Sequence, residues 1–363
     1  MATHAVGLNT HIWNNNIRCI LLLGLYPILI MAIFWLVSFT IGITLPNGMQ
    51  HNNMNWSAIL NFANNTVIEF FPLILTAVSI WFIIAWFFNT SMIRKLSHSH
   101  PVTRKEEPEL YNLLENLCIS QGMTMPNLEI IETHARNAFA SGITTKNFSI
   151  TVTRGLMNSL SKDEIEGVLA HELTHIQNRD VRLLIICIIF TGLFGFLAQL
   201  AWSNIRYSIF YSGYRRSKNN NGSSIIIIIA IAIILWLGYM ATLLMRFALS
   251  RRREYMADAG AIEMTKNPEA MMRALMRISR RDRIPEATDD IAMMCIENHK
   301  PFMGLFATHP PIDQRIKVIS EITSTPIPDA RNLAPINKQE SFSTRTKDKS
   351  KRVNPWLIRQ RRD

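Results

Sequence analysis

The stretch Ser161-Lys162-Asp163-Glu164-Ile165-Glu166-Gly167-Val168-Leu169-Ala170-His171-Glu172-Leu173-Thr174-His175 decides how this chain is read. It opens on S-x-x-E, the pattern of a capping box, and closes on H-E-x-x-H. A helix starting at Ser161 carries His171 and His175 two to three turns in. Residues four apart share a helix face, so both imidazoles can bind one metal ion while Glu172 reaches a water at an open coordination position. A catalytic zinc takes three protein ligands and a water, whose pKa it lowers from roughly 15.7 to about 7. Glu172 is then the candidate general base. The plainer reading is a helix that places two histidines one turn apart by chance, so the assignment needs support from other residues.

Asn178 and Arg182 continue the His171 stripe and are candidates to orient the ligands by hydrogen bonding. Polar residues at such positions also mark where a helix leaves a membrane. A third ligand is offered by Arg253-Glu254-Tyr255-Met256-Ala257-Asp258, in which Glu254 would bind zinc and Asp258, one turn on, would hold a ligand imidazole. Arg251, Arg252 and Arg253 run directly into Glu254, however, and suggest a solvated, salt-bridged helix start. Spacing alone leaves Asp180, Glu263 and Glu269 as competing carboxylates.

The surrounding sequence mixes two regimes: 48% of residues are hydrophobic and the mean hydropathy is +0.11, yet 18% are charged. Charge-free apolar runs fall at about Ile20 to Leu45, Phe70 to Phe88, Leu183 to Trp202 and Ile225 to Met245. Each approaches the roughly 20 residues that cross about 30 Å of hydrocarbon, which predicts four transmembrane helices. Lysine and arginine are absent from 46–66, whereas Arg94, Lys95, Arg104 and Lys105 follow the second run, which places the polar part in the cytoplasm. Arg206, Arg215, Arg216 and Lys218 conflict with this, because a third spanning helix would put them outside. His171, His175 and Glu254 must nevertheless meet on one side, so the third and fourth runs either both cross or both turn back; crossing is favoured. The first run is long enough to remain as an anchor and lacks a signal-peptide cleavage site. Cys19, Cys118, Cys187 and Cys295 show no C-x-x-C pairing and read as small buried residues in a reducing setting.

Beyond the metal motif, Asn137-Ala138-Phe139-Ala140-Ser141-Gly142 and Thr308-His309-Pro310-Pro311 followed by Arg315 complete a set of elements in a fixed order with HELTH and EYMAD. Over roughly residues 15 to 320 the chain resembles the HtpX membrane metalloproteases, relatives of the CAAX prenyl proteases. The resemblance implies that Glu254 is the third ligand of one Zn2+ per chain. It implies that His309 approaches the metal, where it could donate to the tetrahedral oxyanion, and that Arg315 braces that loop or binds substrate backbone. It also gives Asn137, Ala138, Phe139 and Ala140 the task of taking up an extended substrate along a sheet edge, by main-chain bonds indifferent to side-chain identity. Competing with that is an ordinary interior strand with Phe139 in the core.

The expected architecture is an α-helical membrane protein with four transmembrane helices and a cytoplasmic α+β zincin-like metalloprotease domain. Its parts are residues 1–92, 93–180 with a helix at 108–121, strands near 128–132, 137–144 and 148–153 and the H-E-x-x-H helix, then 181–249, 250–322 and a disordered basic tail at 323–363. The formal net charge of +11 suits contact with anionic lipid, and no folded motif points to nucleic acid. The leading functional reading is a zinc endopeptidase of the bacterial-type inner membrane that cleaves unfolded or misassembled membrane proteins, as in stress response and quality control. The competing one is a membrane scaffold or binding protein with a structural or inactive metal site. A third, processing of lipidated C-termini, is disfavoured because four spans are too few for a large chamber.

Overall fold

A computed structural model describes residues 8–44, 49–50, 53–212, 229–240, 252–278 and 310–329. Helix α1 (Leu8–Thr44) is followed by a minimal hairpin of β1 (Met49–Gln50) and β2 (Asn53–Met54), and then by α2 (Trp56–Ser97). Within these, Asn16–Ile43 and Trp56–Ser97 are long and apolar enough to cross a membrane, and none of the most apolar stretch of α2 is buried inside the protein. Among the described residues these are the two helices that meet the criterion, against the four predicted. The third apolar run lies on α6 (Asp180–Ser212), and part of the fourth lies on α7 (Ile229–Met240), with the rest outside the described residues.

The polar portion begins with β3 (His100–Pro101) and α3 (Pro108–Ser120), whose Leu110, Leu113, Leu114 and Leu117 form one buried face at helical spacing. Strands β4 (Asn127–Ile131), β5 (Ala138–Ser141) and β6 (Ser149–Thr153) join β3 in a four-stranded sheet of order β3-β4-β6-β5. Among the described residues only the β4–β6 pair of this sheet is parallel, and β5 bonds to β6 alone, so it forms one edge. Gly142 makes the turn out of β5: its φ is +105°, and a Cβ there would sit 2.4 Å from the Asn147 carbonyl oxygen.

A short α4 (Arg154–Ser159) leads to α5 (Lys162–Gln177), which starts as its sequence predicts. The Ser161 amide donates to the Glu164 carboxylate at 2.9 Å, and the Glu164 amide donates back to the Ser161 hydroxyl at 3.4 Å. After α6 and α7 come α8 (Arg252–Thr265), α9 (Pro268–Ile278) and α10 (Ile312–Thr323). Arg277 on α9 donates to the buried Glu164 at 3.0 Å. Helix α8 lies hard against α5, since a Cβ on Gly260 would come within 2.5 Å of Thr174 Cγ2.

The chain packs as two compact units, one comprising residues 1–15, 88–182 and 249–363, the other 16–87 and 183–248. The first contains the four-stranded sheet and α5, α8, α9 and α10; the second contains most of α1, α2 and α6. His309, Cys295 and the tail beyond Asp329 lie outside the described residues. Cys19, Cys118 and Cys187 are buried.

Candidate metal centre

Helix α5 presents His171 and His175 on one face, and the close seat of α8 brings Glu254 opposite them. One ligand atom from each of the three lies within 4.8 Å of the other two. His171 Nε2 is 3.2 Å from His175 Nε2, and the Glu254 carboxylate oxygens stand 3.7 and 3.8 Å from these two nitrogens. The rings meet edge to face. His171 and Glu254 are buried, and the His175 side chain retains 12% exposure, so the approach to the cluster is on its side.

Each imidazole has a carboxylate at its far nitrogen. Asp258 Oδ1 is 3.0 Å from His171 Nδ1, and Asp180 Oδ2 is 3.1 Å from His175 Nδ1. Asp258 in turn accepts from Arg315, at 2.8 Å from Nε and 2.5 Å from Nη2. Arg315 is fully buried and also lies 3.9 Å from Glu254. Arg253 Nε donates to Glu254 at 3.2 Å from the other side. The buried carboxylates Glu172, Asp180, Glu254 and Asp258 therefore face two buried guanidiniums. With neutral imidazoles, four negative charges against two positive leave −2, which one divalent cation brings to zero. Two imidazoles and a carboxylate are also the donor set of known catalytic zinc sites, so the residues fit the ion.

With no ion at the cluster, protons on Glu172 and His175 offset part of this charge. Burial raises the Glu172 pKa above the usual carboxylate value, although the two imidazoles and the Ala140 amide pull it down. Burial lowers that of His175, but Glu254 and Asp180 outweigh it and push the imidazole up to about 10. Metal and proton therefore compete for that ring. Burial would raise Asp258, and the adjacent Arg315 guanidinium instead holds it below its ordinary value.

Glu172 faces the sheet edge. Its carboxylate accepts from the Ala140 amide on β5. Thr153 N donates to Asn137 O at 3.0 Å, which makes this a hydrogen-bonded pair of the antiparallel ladder. By alternation, Ala138 and Ala140 turn their main-chain groups away from β6, toward the free edge. The side chains of Asn137, Ala138, Phe139 and Ala140 are all buried. Asn137 spends its Oδ1 on the Ala138 amide at 3.0 Å.

Of the residues singled out from sequence, the structure thus gathers His171, Glu172, His175, Glu254, Asp258, Arg315 and the β5 edge. Asn178 is the C-cap of α5 and lines a cavity of about 260 Å³ with Gln121, Thr174, Met256 and Glu263. Arg182 donates to the Ile143 carbonyl at 2.9 Å. Sequence reasoning missed two contacts. Asp180 was one carboxylate among several, and its place beside His175 depends on Arg179, whose φ of +61° breaks the helical period on which spacing arguments rely. Arg253 is buried at the carboxylate of Glu254, although in sequence it is the last of three arginines with nothing to set it apart.

Residues 104–323, more than half of the chain, match the profile of peptidase family M48. The chain belongs to peptidase family M48. It is 43% identical over 326 residues to a protease HtpX homolog of Bacteroides fragilis, covering 87% of this chain and 99% of that one. It is 33% identical over 298 residues to a protease HtpX homolog of Lactobacillus acidophilus, covering 80% and 94%. The crystal structure of S. mikatae Ste24p is similar at 22% identity and a TM-score of 0.43, over 70% of this chain and 58% of that one. Family M48 enzymes are zinc-dependent metallopeptidases, and this chain is a metallopeptidase with a His171, His175 and Glu254 group able to hold the metal.

Proposed function

We propose that this chain is a membrane-bound zinc endopeptidase that cleaves misfolded or unassembled membrane proteins at the cytoplasmic face of a bacterial-type inner membrane. The observation that carries this reading is the convergence of His171, His175 and Glu254, with Glu172 beside them and hydrogen-bonded to an edge strand. His171, His175 and Glu254 would hold one zinc. When bound, the ion supplies a Lewis acid that makes water nucleophilic near neutral pH.

The chain's own groups do the rest. The outer edge of β5 takes up an extended peptide through the outward carbonyls of Ala138 and Ala140, whose amides are held by Asn137 Oδ1 and Glu172; buried side chains at 137–140 leave little to select sequence, as a quality-control protease requires. Glu172 takes a proton from the attacking water as its oxygen bonds the peptide carbonyl carbon. It returns that proton to the departing nitrogen as the C–N bond breaks. A raised pKa suits a carboxylate that holds a proton between two steps. His309 would donate to the oxyanion, and Arg315 holds Asp258 against His171.

Four spans, with α6 and the run through α7 as the third and fourth, anchor the enzyme beside its substrates, and the basic tail contacts anionic lipid. The division into 1–92, 93–180, 181–249, 250–322 and 323–363 follows from that topology. A purely structural metal site is disfavoured, because it has no use for a buried general base.

The deciding experiment is casein cleavage by detergent-purified, zinc-reconstituted protein beside Glu172→Ala, with metal content measured on both. Cleavage by wild type alone, with zinc on both, assigns Glu172 to chemistry instead of metal binding. Zinc on both and cleavage by neither would sink the protease mechanism in favour of a scaffold.

A further inference from the structure

We propose that Asp180 is a positioning residue for the metal centre: delivered by the first turn of the apolar helix α6, its carboxylate fixes the tautomer and orientation of His175. The inference rests on the proposed ligand set His171, His175 and Glu254.

On an uninterrupted α-helix a residue five positions on lies about 140° around the axis and cannot reach back to its predecessor. Here α5 ends at Gln177, Arg179 takes a left-handed φ of +61°, and α6 restarts at Asp180. The break returns the Asp180 carboxylate to 3.1 Å from His175 Nδ1. A carboxylate only accepts, so the proton of the neutral imidazole resides on Nδ1, and Nε2, the nitrogen facing Glu254 and His171, keeps its lone pair for the metal. Asp180 is buried, 3% exposed, and stands in the first turn of α6, where its carboxylate is directed at the His175 ring.

The start of α6 is pinned from a second direction. Arg182, half a turn on, donates to the Ile143 carbonyl at 2.9 Å, in the connection between β5 and β6. The same turn of α6 therefore touches a metal ligand and the segment that closes the candidate substrate strand. Asp258 makes the matching contact to His171 from α8, so the two histidines are oriented from separate elements.

Partners of this kind typically contribute ten- to a hundredfold to metal affinity. The test is zinc affinity by chelator competition, on full-length protein in detergent micelles, for wild type, Asp180→Ala, Asp180→Asn and His175→Ala. Cobalt-substituted absorption spectra are recorded in parallel. Asp180→Ala is expected to bind zinc ten- to a hundredfold more weakly, to shift the cobalt bands, and to regain activity at high free zinc. Affinity within twofold of wild type, with an unchanged cobalt spectrum, overturns the proposal. Should Asp180→Ala not fold, the isosteric Asp180→Asn decides: a several-fold loss supports the charge-assisted contact, and wild-type affinity overturns it. A wild type without a tight site, or a His175→Ala variant binding as tightly as wild type, would instead overturn the ligand assignment beneath it.

Discussion

Arg315 shows what a single residue does in this site. A fully buried guanidinium is tolerable because Asp258 accepts from its Nε and Nη2 and Glu254 lies 3.9 Å from its Nη1, and Asp258 is held below its ordinary pKa by the same contact. Removing one member of such a pair strands the other, at a cost of about 3–5 kcal/mol. Arg315→Met is therefore expected to lower stability by that amount near neutral pH. The sign of the pH dependence follows from the depressed Asp258 pKa, whose ordinary value is 3.8. In the wild type the contribution of the ionised carboxylate is complete above that value and is lost as pH falls through the lower folded-state pKa. In the variant the largest group opposing burial is gone and only the His171 contact remains, so Asp258 takes up its proton at higher pH and the penalty relaxes. Thermal midpoints measured from pH 7 down to pH 4 should thus converge, and a gap that widens on acidification would refute the account. At this scale the sequence disclosed the ligands unevenly. His171, Glu172 and His175 stand within one helical turn, where period alone places them together. Glu254 and Arg315 needed a family resemblance, because no local rule links residues that far apart in the chain. Asp180 was hidden by one left-handed residue.

Among the elements, the contact of α5 with α8 matters most, since it sets the distance from the histidines to Glu254. That contact is as close as it is because position 260 has no side chain; a Cβ would meet Thr174 Cγ2 at 2.5 Å and Oγ1 at 2.7 Å. Gly260→Ala is expected to cost about 1–3 kcal/mol by overpacking and to weaken zinc binding by pushing Glu254 outward. Thr174→Ala removes both obstructing atoms, so the double variant Gly260→Ala/Thr174→Ala should recover affinity that neither additive cost predicts. Additive losses in that cycle would place the effect elsewhere in the helices. The elements themselves were readable where a local rule applies: the Ser161 box starts α5, the leucine stripe marks α3, and short β-rich segments bounded by polar turns locate β4, β5 and β6 within a few residues. The order β3-β4-β6-β5 was not, because strand order depends on long-range pairing and not on period. It is this order that makes β5 an edge.

For the molecule as a whole, the metal centre constrains how often the chain crosses the membrane. His175 precedes α6 and Glu254 follows α7, yet their ligand atoms lie within 4.8 Å, so the chain between them crosses an even number of times. Two crossings put residue 217 on the face opposite the metal centre; none keeps it on the same face. Lysine and arginine near 206–218 argue for the second arrangement, but such charges act most strongly on the first helices to insert, and there the bias is plain: 46–66 carries none and the end of α2 carries Arg94 and Lys95. We expect two crossings. Single cysteines at positions 52, 109 and 217, in a background with Cys19, Cys118, Cys187 and Cys295 replaced, should report it with a membrane-impermeant maleimide on intact spheroplasts. Positions 52 and 217 should label from outside, and position 109 only after lysis. Labelling of 217 together with 109 would mean that the third and fourth runs turn back, leaving α1 and α2 as the anchors. Labelling of 109 from outside would reverse the whole protein and remove the cytoplasmic face from its proposed function.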